Sequence, residues 1–296
     1  MKKLVFTGSG VALVTPMKQD GSINYDVLGE LIEFHIKNGT DAIVACGTTG
    51  ESSVLDHEEH CKEIQFVVEH VNKRVPVIVG SGSNDTRYAV ELSKTAQELG
   101  ANALLMVTPY YNKTSQAGLI RHYNYVADRV DTPIILYNVP SRTGVNIKPE
   151  TYYELSKHPN IVATKEANGD VCSVARTMAL CGDDLAVYSG EDSQMLPIFA
   201  LGGKGVISVL ANVLPKETHQ IYADYASGNT ESSRKAFLHY MELIDALFMD
   251  VNPIPVKSAM NLIGVDCGEC RLPLTGMNAE ALEKLASTLR KYELIK

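Results

Sequence analysis

Lys165 is the residue in this sequence best suited to act as a nucleophile. It follows the run 160–164, whose apolar and β-branched residues are typical of a buried parallel strand. Burial disfavours a charged ammonium and favours the neutral amine, which can attack a carbonyl carbon and form an imine. A lysine at a strand end more commonly reaches solvent or pairs with a carboxylate, so the neighbouring residues must decide between these interpretations.

Hydroxyl groups and one guanidinium follow three other predicted strands. They lie in the segments 47–52 (GTTGES), 108–112 (TPYYN) and 137–144 (YNVPSRTG). Together with an amine, such groups can form an imine, transfer protons and hold a carboxylate. Each segment taken alone has a simpler interpretation, which is a tight turn for the first and interface packing for the two loop tyrosines.

The elements that position these residues alternate along the chain between short β-rich runs and amphipathic helical patterns. The predicted strands are 10–15, 41–46, 75–80, 103–107, 133–138, 161–166, 185–190 and 205–210. Eight strand–helix units without a linker predict an α/β fold of the (β/α)8 TIM barrel type, although strand counting alone leaves a doubly wound sheet open. In a barrel, chemistry takes place at the face formed by the loops that follow the strands.

Only helical periodicity is present from about residue 230 onwards. It occurs in 237–248, 256–262 and 279–289. We therefore expect a catalytic barrel over residues 1–229 and a C-terminal helical extension over residues 230–296.

The composition is that of a globular enzyme. The chain has 296 residues, of which 45% are hydrophobic and 21% charged, and its formal net charge is -8. An acidic balance argues against nucleic-acid binding. The apolar runs are too short for a membrane helix, and the first eight residues predict no export signal. We expect a cytoplasmic protein without a nucleic-acid or membrane partner.

Two patterns that could suggest a metal site are weak. Cys267 and Cys270 form a single CxxC without the second pair of ligands that structural zinc requires. His57 and His60 are three residues apart, whereas the zinc-protease motif separates its histidines by four. The histidine pattern instead predicts the first turn of a helix capped by Asp56. We expect no metal, and a redox role for the two cysteines is left open.

Several longer segments resemble a known family. They are GTTGES at 47–52, GSGSN at 80–84, TPYYNK at 108–113, YNVPSRTG at 137–144, VATKEANGD at 162–170, GGKGVISVLAN at 202–212, NPIPVK at 252–257 and CRLPL at 270–274. In this order, the set is similar to the dihydrodipicolinate synthase family of pyruvate-dependent class I aldolases. The resemblance spans nearly the whole chain, and it implies that Lys165 is the imine-forming lysine.

The resemblance implies the condensation of pyruvate with L-aspartate 4-semialdehyde, in the diaminopimelate pathway to lysine. It implies that Lys165 attacks the pyruvate ketone and that Tyr137 serves as acid and base. A hydroxyl relay would connect Tyr137 with Thr48 and with Tyr111, which would reach into the site of a neighbouring subunit. The residues implied to bind substrate are Thr49, Arg142 and Ile207. No metal or organic cofactor is implied.

Two alternatives remain open. The chain also resembles N-acetylneuraminate lyase and related 2-oxo acid aldolases at the lysine and at the strand-five tyrosine. Arg142 favours the synthase, because its guanidinium fork suits a carboxylate and a sugar aldehyde would not require a cation. The other alternative is a non-catalytic barrel with a binding or regulatory role, which would be expected to have lost part of the catalytic set.

The resemblance also implies a regulatory lysine site and an oligomer. The matching positions are Ser52, Ser53, His57, His60, Asn84, Tyr88 and Tyr110. Lysine-sensitive members carry a glutamate where this chain has Tyr88, and a neutral phenol cannot replace the charge of a carboxylate. We therefore expect weak or absent inhibition by lysine. The expected assembly is a homotetramer built from tight dimers, although dimers alone also occur in the family.

Overall fold

Eight parallel strands form a closed barrel in the part of the chain that the computed structural model describes, residue 2 and residues 4–296. The strands are β1 (Gly8–Ala12), β2 (Ala42–Ala45), β3 (Val77–Gly80), β4 (Ala103–Val107), β5 (Ile134–Asn138), β6 (Ile161–Glu166), β7 (Ala186–Ser189) and β8 (Gly205–Ser208). Each strand pairs with the next, and β8 closes the barrel on β1. The predicted (β/α)8 barrel is confirmed. Met1 and Lys3, which belong to the predicted domain 1–229, lie outside the described residues.

Helices follow the strands and cover the outside of the barrel. They are α1 (Tyr25–Lys37), α2 (His57–Val71), α3 (Thr86–Glu98), α4 (Gln116–Ala127), α5 (Pro140–Thr143), α6 (Pro149–Ser156), α7 (Val171–Cys181), α8 (Met195–Ala200), α9 (Pro215–Ala226), α10 (Thr230–His239), α11 (Met241–Leu247), α12 (Ile254–Leu262) and α13 (Ala279–Lys291). Within the described residues, none of them combines the length and apolar character needed to cross a membrane.

Side chains from the preceding loops fix where several helices begin. Asp56 accepts a hydrogen bond from the Glu59 N–H at 2.9 Å, and the Glu59 carboxylate accepts one from the Asp56 N–H at 3.3 Å. The helix start predicted at Asp56 is therefore confirmed as a capping box. Asp170 caps α7 by accepting from the Ser173 N–H at 3.0 Å. These caps fix the exits of β2 and β6, where candidate site residues lie.

β1 begins and ends earlier than its apolar pattern predicts. The pattern predicts a strand over 10–15, but pairing with β8 already begins at Gly8, opposite Gly205. Beyond the end of β1 the chain leaves the ladder, and the N–H of Val14 donates to the Asn212 side chain at 3.1 Å. Val14 is fully buried all the same. The apolar pattern therefore marks burial here and not strand pairing.

The C-terminal extension is helical, as its periodicity predicts, with one difference. The pattern predicts a continuous helix over 237–248, whereas the structure divides it at Tyr240 between α10 and α11. Residues of α12 and α13, Val256 among them, belong to the same apolar cluster as buried residues of the barrel. The division into 1–229 and 230–296 remains a prediction.

A buried ion pair joins the extension to the loop after β2. Lys257 Nζ on α12 lies 2.8 Å from Glu51 Oε1, and the two side chains are only 2% and 1% exposed. The Arg271 N–H donates to the other Glu51 oxygen at 2.8 Å, and Lys257 also donates to the Glu269 carbonyl at 2.8 Å. Because buried charges are costly unless they are paired and hydrogen-bonded, this contact fixes the extension against the loop 47–52.

Candidate active site

Lys165 lies inside the barrel near the carboxyl end of β6 and is 5% exposed. It pairs in register with Tyr137 on β5 and with Tyr188 on β7. Its Nζ lies 4.3 Å from the centroid of the Tyr137 ring. In the part of the chain that the structure describes, no carboxylate oxygen lies within 4.0 Å of its Nζ. This lysine therefore neither reaches solvent nor pairs with a carboxylate, which were the two alternatives to a nucleophilic role.

Alternation along β6 turns Lys165 inwards and its neighbour Glu166 outwards, against α6. The Glu166 carboxylate accepts hydrogen bonds from the Tyr152 hydroxyl at 2.7 Å and from the Asn138 amide at 2.9 Å. Burial raises the pKa of Glu166 to about 7, although these two hydrogen bonds oppose the shift. Asn138 directly follows Tyr137 on β5. The contact therefore fixes the relative positions of the strand ends that carry Lys165 and Tyr137.

Gly190, directly after β7, leaves the space that the lysine side chain occupies. A Cβ at this position would lie 2.9 Å from Lys165 Cγ and 3.0 Å from the Glu166 carbonyl oxygen. In a close-packed interior, contacts this short would force the neighbouring groups to move. Glycine is thus required here for the observed position of Lys165.

The turn after β2 presents unpaired backbone donors. Among the described residues, the N–H groups of Thr48 and Thr49 find no acceptor. Thr49 is 2% exposed, and its hydroxyl accepts a hydrogen bond from the Asn252 side-chain amide at 3.0 Å. Backbone N–H groups left unpaired at a turn are suited to an anionic group such as a carboxylate.

A cavity of about 390 Å³ contains three of the predicted groups. Thr48, Tyr137 and Arg142 all line it. Arg142 lies in α5, directly after β5, and its guanidinium donates to the Asn252 carbonyl at 3.0 Å. That single hydrogen bond leaves other N–H groups of the guanidinium fork available to a ligand. Asn252 therefore contacts both the arginine and the turn after β2.

Two further predicted residues, Ile207 and Tyr111, lie in opposite environments, one buried inside the barrel and the other exposed. Ile207 on β8 is 1% exposed and belongs to the apolar cluster inside the barrel that also contains Tyr137. Tyr111 is 90% exposed, and its φ of 69° lies in the left-handed region, which tyrosine rarely adopts. It does not line the cavity that contains Tyr137 and Thr48. Within one chain, Tyr111 is therefore not part of the cavity lining that Tyr137, Thr48 and Arg142 share.

The predicted regulatory positions lie beside the same cavity. Five of them line it: Ser52, Ser53, His60, Tyr88 and Tyr110. His57 Nδ1 lies 3.4 Å from the Tyr88 hydroxyl, and the Asn84 amide donates to the Tyr110 carbonyl at 3.2 Å. Burial lowers the pKa of His60 to about 4. His60 is therefore neutral at pH 7 and donates from Nε2 to the Gly80 carbonyl, 2.9 Å away.

The structure also describes the residues of the two weak metal patterns. No group of three or more His, Cys, Asp or Glu within the described part of the chain is arranged to hold a metal ion. Cys267 is buried, Cys270 is half-buried, and both are free thiols. Burial raises the pKa of each to about 12, which disfavours the reactive thiolate at neutral pH.

Glu166 and Asn252 are two contributors to this site that sequence reasoning missed. Glu166 follows Lys165 directly, so strand alternation was a signal that could have assigned it to the opposite face. Asn252 begins the segment NPIPVK, but its contact with Thr49 joins positions 203 residues apart. A contact at that separation leaves no periodic signal in the sequence.

A closed parallel barrel with a buried lysine on its sixth strand, and a tyrosine beside that lysine on the fifth, has the fold and site of a class I aldolase. The model of the Dihydrodipicolinate synthetase family matches residues 5–292. The chain therefore belongs to that family.

Individual relatives cover the chain from end to end. The 4-hydroxy-tetrahydrodipicolinate synthase of Acetivibrio thermocellus is 55% identical over 295 residues, which cover 100% of both chains. The chloride-inhibited dihydrodipicolinate synthase of Acinetobacter baumannii, solved in complex with pyruvate, is 43% identical with a TM-score of 0.96, over 98% of this chain and 99% of that one. The Cyanidioschyzon merolae enzyme, solved with lysine bound, is 39% identical with a TM-score of 0.96, over 99% and 100% respectively.

Proposed function

We propose that this chain catalyses the reaction of a 4-hydroxy-tetrahydrodipicolinate synthase, the condensation of pyruvate with L-aspartate 4-semialdehyde in the diaminopimelate pathway to lysine. The observation that carries the proposal is Lys165, which is 5% exposed and has its Nζ 4.3 Å from the Tyr137 ring. A buried amine without a carboxylate partner is suited to attack on a ketone. The proposed reaction uses no metal or organic cofactor, because the imine itself withdraws electrons from the substrate.

The first half of the reaction forms an enamine on Lys165. The amine attacks the ketone carbon of pyruvate, and the resulting carbinolamine loses its hydroxyl as water to leave a protonated imine. The imine withdraws electrons from the adjacent methyl group, which loses a proton and becomes the enamine carbon. Tyr137, in register with Lys165 on the neighbouring strand, is close enough to transfer these protons.

The second half forms the new carbon–carbon bond. The enamine carbon attacks the aldehyde carbon of the semialdehyde while the aldehyde oxygen takes up a proton, which restores an imine on Lys165. The amino group of the semialdehyde can then attack the imine carbon, close the ring and release the lysine amine. Two carboxylates must be held throughout these steps, one from each substrate.

Separate groups are proposed to hold the two carboxylates. The unpaired N–H groups of Thr48 and Thr49 suit pyruvate, whose methyl carbon would lie against Ile207. Arg142 lines the same cavity as Tyr137, and its fork suits the carboxylate of the semialdehyde. Because a phenol is a weak acid at neutral pH, we also propose that Thr48 and the Tyr111 of a partner subunit assist Tyr137.

A comparison of turnover with two aldehydes tests the proposal. With pyruvate held constant, we expect turnover of L-aspartate 4-semialdehyde and none of N-acetylmannosamine, because Arg142 suits a carboxylate that the sugar lacks. Arg142→Ala should lower kcat/KM for the semialdehyde by about tenfold or more, as expected for a lost hydrogen bond to a charged group. Arg142→Lys, which keeps the charge without the fork, should recover only part of this loss.

Two results of that comparison would contradict the proposal. Preference for the sugar would favour the N-acetylneuraminate lyase alternative. Turnover of neither aldehyde would favour a non-catalytic barrel. We expect neither result, because every member of the implied catalytic set is present in this chain.

We also propose a cytoplasmic homotetramer built from tight dimers. The support for an intimate dimer is Tyr111, which is 90% exposed in one chain and whose hydroxyl is proposed to act at the site. A large aromatic side chain held in the left-handed region and left uncovered is suited to a protein interface. The similarity to biosynthetic enzymes supports the cytoplasmic location.

We propose that L-lysine inhibits this enzyme weakly or not at all. Tyr88 gives the cavity a phenol 3.4 Å from His57 Nδ1, at the position where a carboxylate would pair with an ammonium group. Tyr88→Glu should therefore lower the lysine concentration needed for half-inhibition by about tenfold or more. Tyr88→Gln, which adds no charge, is the matched control and should respond as the wild type does. Inhibition of the unmodified enzyme at micromolar lysine would contradict the proposal.

A further inference from the structure

Glu63 is a buried carboxyl group beneath the turn that carries Thr48 and Thr49. It lies on α2 and is 1% exposed. One of its oxygens, Oε1, lies 2.8 Å from the Thr15 hydroxyl. The other, Oε2, is buried and has no hydrogen-bond partner of normal geometry among the described residues. An ionised carboxylate in this position would be poorly compensated.

The contacts of the Thr15 hydroxyl indicate whether Glu63 carries a proton. The Thr15 hydroxyl lies 2.8 Å from Glu63 Oε1 and also 2.8 Å from the Gly50 carbonyl oxygen. A hydroxyl has one proton to donate, and a carbonyl oxygen can only accept. Both hydrogen bonds can form together only if Glu63 is protonated and donates to Thr15, while Thr15 donates to Gly50.

The Gly50 carbonyl depends on this arrangement. Gly50 is buried, and within the described residues Thr15 is the one group that donates to its carbonyl oxygen. A Cβ at this position would lie 3.0 Å from the Thr15 hydroxyl oxygen, so the turn packs directly on Thr15. A buried carbonyl oxygen without a donor is unfavourable, because it has lost water and has no replacement partner. We expect the turn to shift when this hydrogen bond is lost.

The charged and titratable groups around Glu63 come from four different elements. They are Tyr25 on α1, Cys46 after β2, Glu51 in the loop and Arg271 in the extension. Burial raises the pKa of Glu63 to about 7, and the negative charge of Glu51 adds to the shift. The Thr15 hydroxyl, the nearby Cys46 thiol and the charge of Arg271 oppose it. The Arg271 guanidinium also donates a hydrogen bond to the Glu59 carboxylate, with 2.7 Å between Nη1 and Oε2.

We propose that Glu63 is a positioning residue that works as a neutral carboxylic acid: it donates to Thr15, which donates to the Gly50 carbonyl and so holds the turn 47–50 in place for the carboxylate of pyruvate. The inference rests on the proposed role of the Thr48 and Thr49 N–H groups in binding that carboxylate. Glu63 touches neither substrate nor Lys165, and it acts only through the turn.

Ionisation of Glu63 reverses the direction of the hydrogen bond. Above its pKa of about 7, the carboxylate becomes an acceptor and takes the Thr15 proton away from Gly50. The Gly50 carbonyl is then left without a donor, and the turn loses its anchor. Because the folded protein keeps this proton to a higher pH than the unfolded chain does, the contribution of Glu63 to stability also falls as the pH rises through about 7.

The test is the pH dependence of KM for pyruvate, measured at saturating semialdehyde from about pH 6 to about pH 9. In the wild type, KM should rise roughly fivefold, the effect of one lost neutral hydrogen bond. Glu63→Gln resembles the protonated acid, so its KM should remain low across the range. Thr15→Val removes the donor to Gly50, so its KM should be high at every pH. Glu58→Gln, on an exposed residue of the same helix, should match the wild type.

The difference between the wild type and Glu63→Gln is the informative quantity, because Glu166 also has a pKa near 7 and both proteins retain it. A positioning role in binding predicts that kcat differs little between the two at each pH, while KM separates them. If Glu63→Gln keeps the alkaline rise in KM, or if Thr15→Val leaves KM unchanged, the proposal is wrong.

A spectroscopic measurement tests the proton without relying on catalysis. The infrared difference between the wild type and Glu63→Gln at about pH 6 should contain the carbonyl band of a protonated carboxylic acid, and this band should disappear by about pH 9. Absence of the band at the lower pH would overturn the proposal. Borohydride trapping of pyruvate on Lys165 in the same protein distinguishes this failure from a failure of the proposed function, since trapping requires the imine and not the state of Glu63.

Discussion

Replacing Lys165 with alanine is expected to lower kcat/KM by at least about a thousandfold, because the variant has no amine to form the imine on which both halves of the proposed reaction depend. Steady-state turnover of pyruvate with the semialdehyde measures the loss. The fold should be retained, since the side chain forms no ion pair with the rest of the described chain. Circular dichroism and thermal denaturation check this expectation.

Lys165→Arg separates two possible contributions of the lysine, its positive charge and its ability to attack a carbonyl carbon. Arginine places a positive charge beside the Tyr137 ring, but a guanidinium that stays protonated cannot form an imine. We therefore expect this variant to be as inactive as the alanine variant. Substantial activity in Lys165→Arg would show that charge and not nucleophilicity is what the site requires, and it would contradict the imine mechanism.

Borohydride reduction in the presence of pyruvate locates the nucleophile directly. The reagent reduces the imine to a stable amine, so peptide mass analysis should find a pyruvate-derived addition on Lys165 and on no other lysine. Lys284→Ala, which removes an exposed lysine from α13, is the matched control and should be labelled as fully as the wild type. A labelled lysine elsewhere in the chain would remove the basis for the proposed function.

The predicted bounds agree with the structure at two strands. The runs 103–107 and 161–166 predict β4 and β6 with the bounds that the structure has. The first is a continuous apolar run and the second an apolar run that ends in Thr164, Lys165 and Glu166, and in both the largely buried segment is also paired in the sheet. At β1 the two properties separate, because Val14 is buried while its N–H donates to the Asn212 side chain. A pattern of apolar residues cannot distinguish a residue that is buried and paired in the sheet from one that is only buried.

The candidate site was predictable to the extent that its residues lie at strand ends. Lys165 and Tyr137 stand near the carboxyl ends of β6 and β5, and barrel geometry alone brings such positions together. The groups that hold the site in place could not be found in this way. Glu63 is a polar residue on an amphipathic helix, and nothing in the helical pattern reveals that it faces Thr15, 48 positions earlier in the chain.

Replacing Tyr111 with phenylalanine is expected to lower kcat by about a hundredfold, the effect of losing one group in proton transfer. The residue is 90% exposed and does not line the cavity that contains Tyr137 in its own chain. We therefore expect its hydroxyl to act at the site of a partner subunit. Steady-state kinetics of Tyr111→Phe measure the size of the effect but cannot tell which subunit contributes the phenol.

Mixed dimers identify the subunit. When Lys165→Ala and Tyr111→Phe proteins exchange subunits, the mixed dimer has one site with an intact Lys165 from one chain and an intact Tyr111 from the other. About half of the dimers are mixed and each has one complete site, so activity should approach about one quarter of the wild-type value. Mass tags on the two variants measure how far subunit exchange has proceeded.

A second mixture provides the matched control. Tyr137 and Lys165 belong to the same subunit's site, so exchange between Lys165→Ala and Tyr137→Phe leaves every site with at least one defect, and activity should not recover. If the Tyr111→Phe mixture also fails to recover after proven exchange, Tyr111 does not act across the interface. Recovery in the first mixture alone would mean that the catalytic unit is the dimer, and that the left-handed, exposed conformation of Tyr111 in one chain serves the active site of its partner.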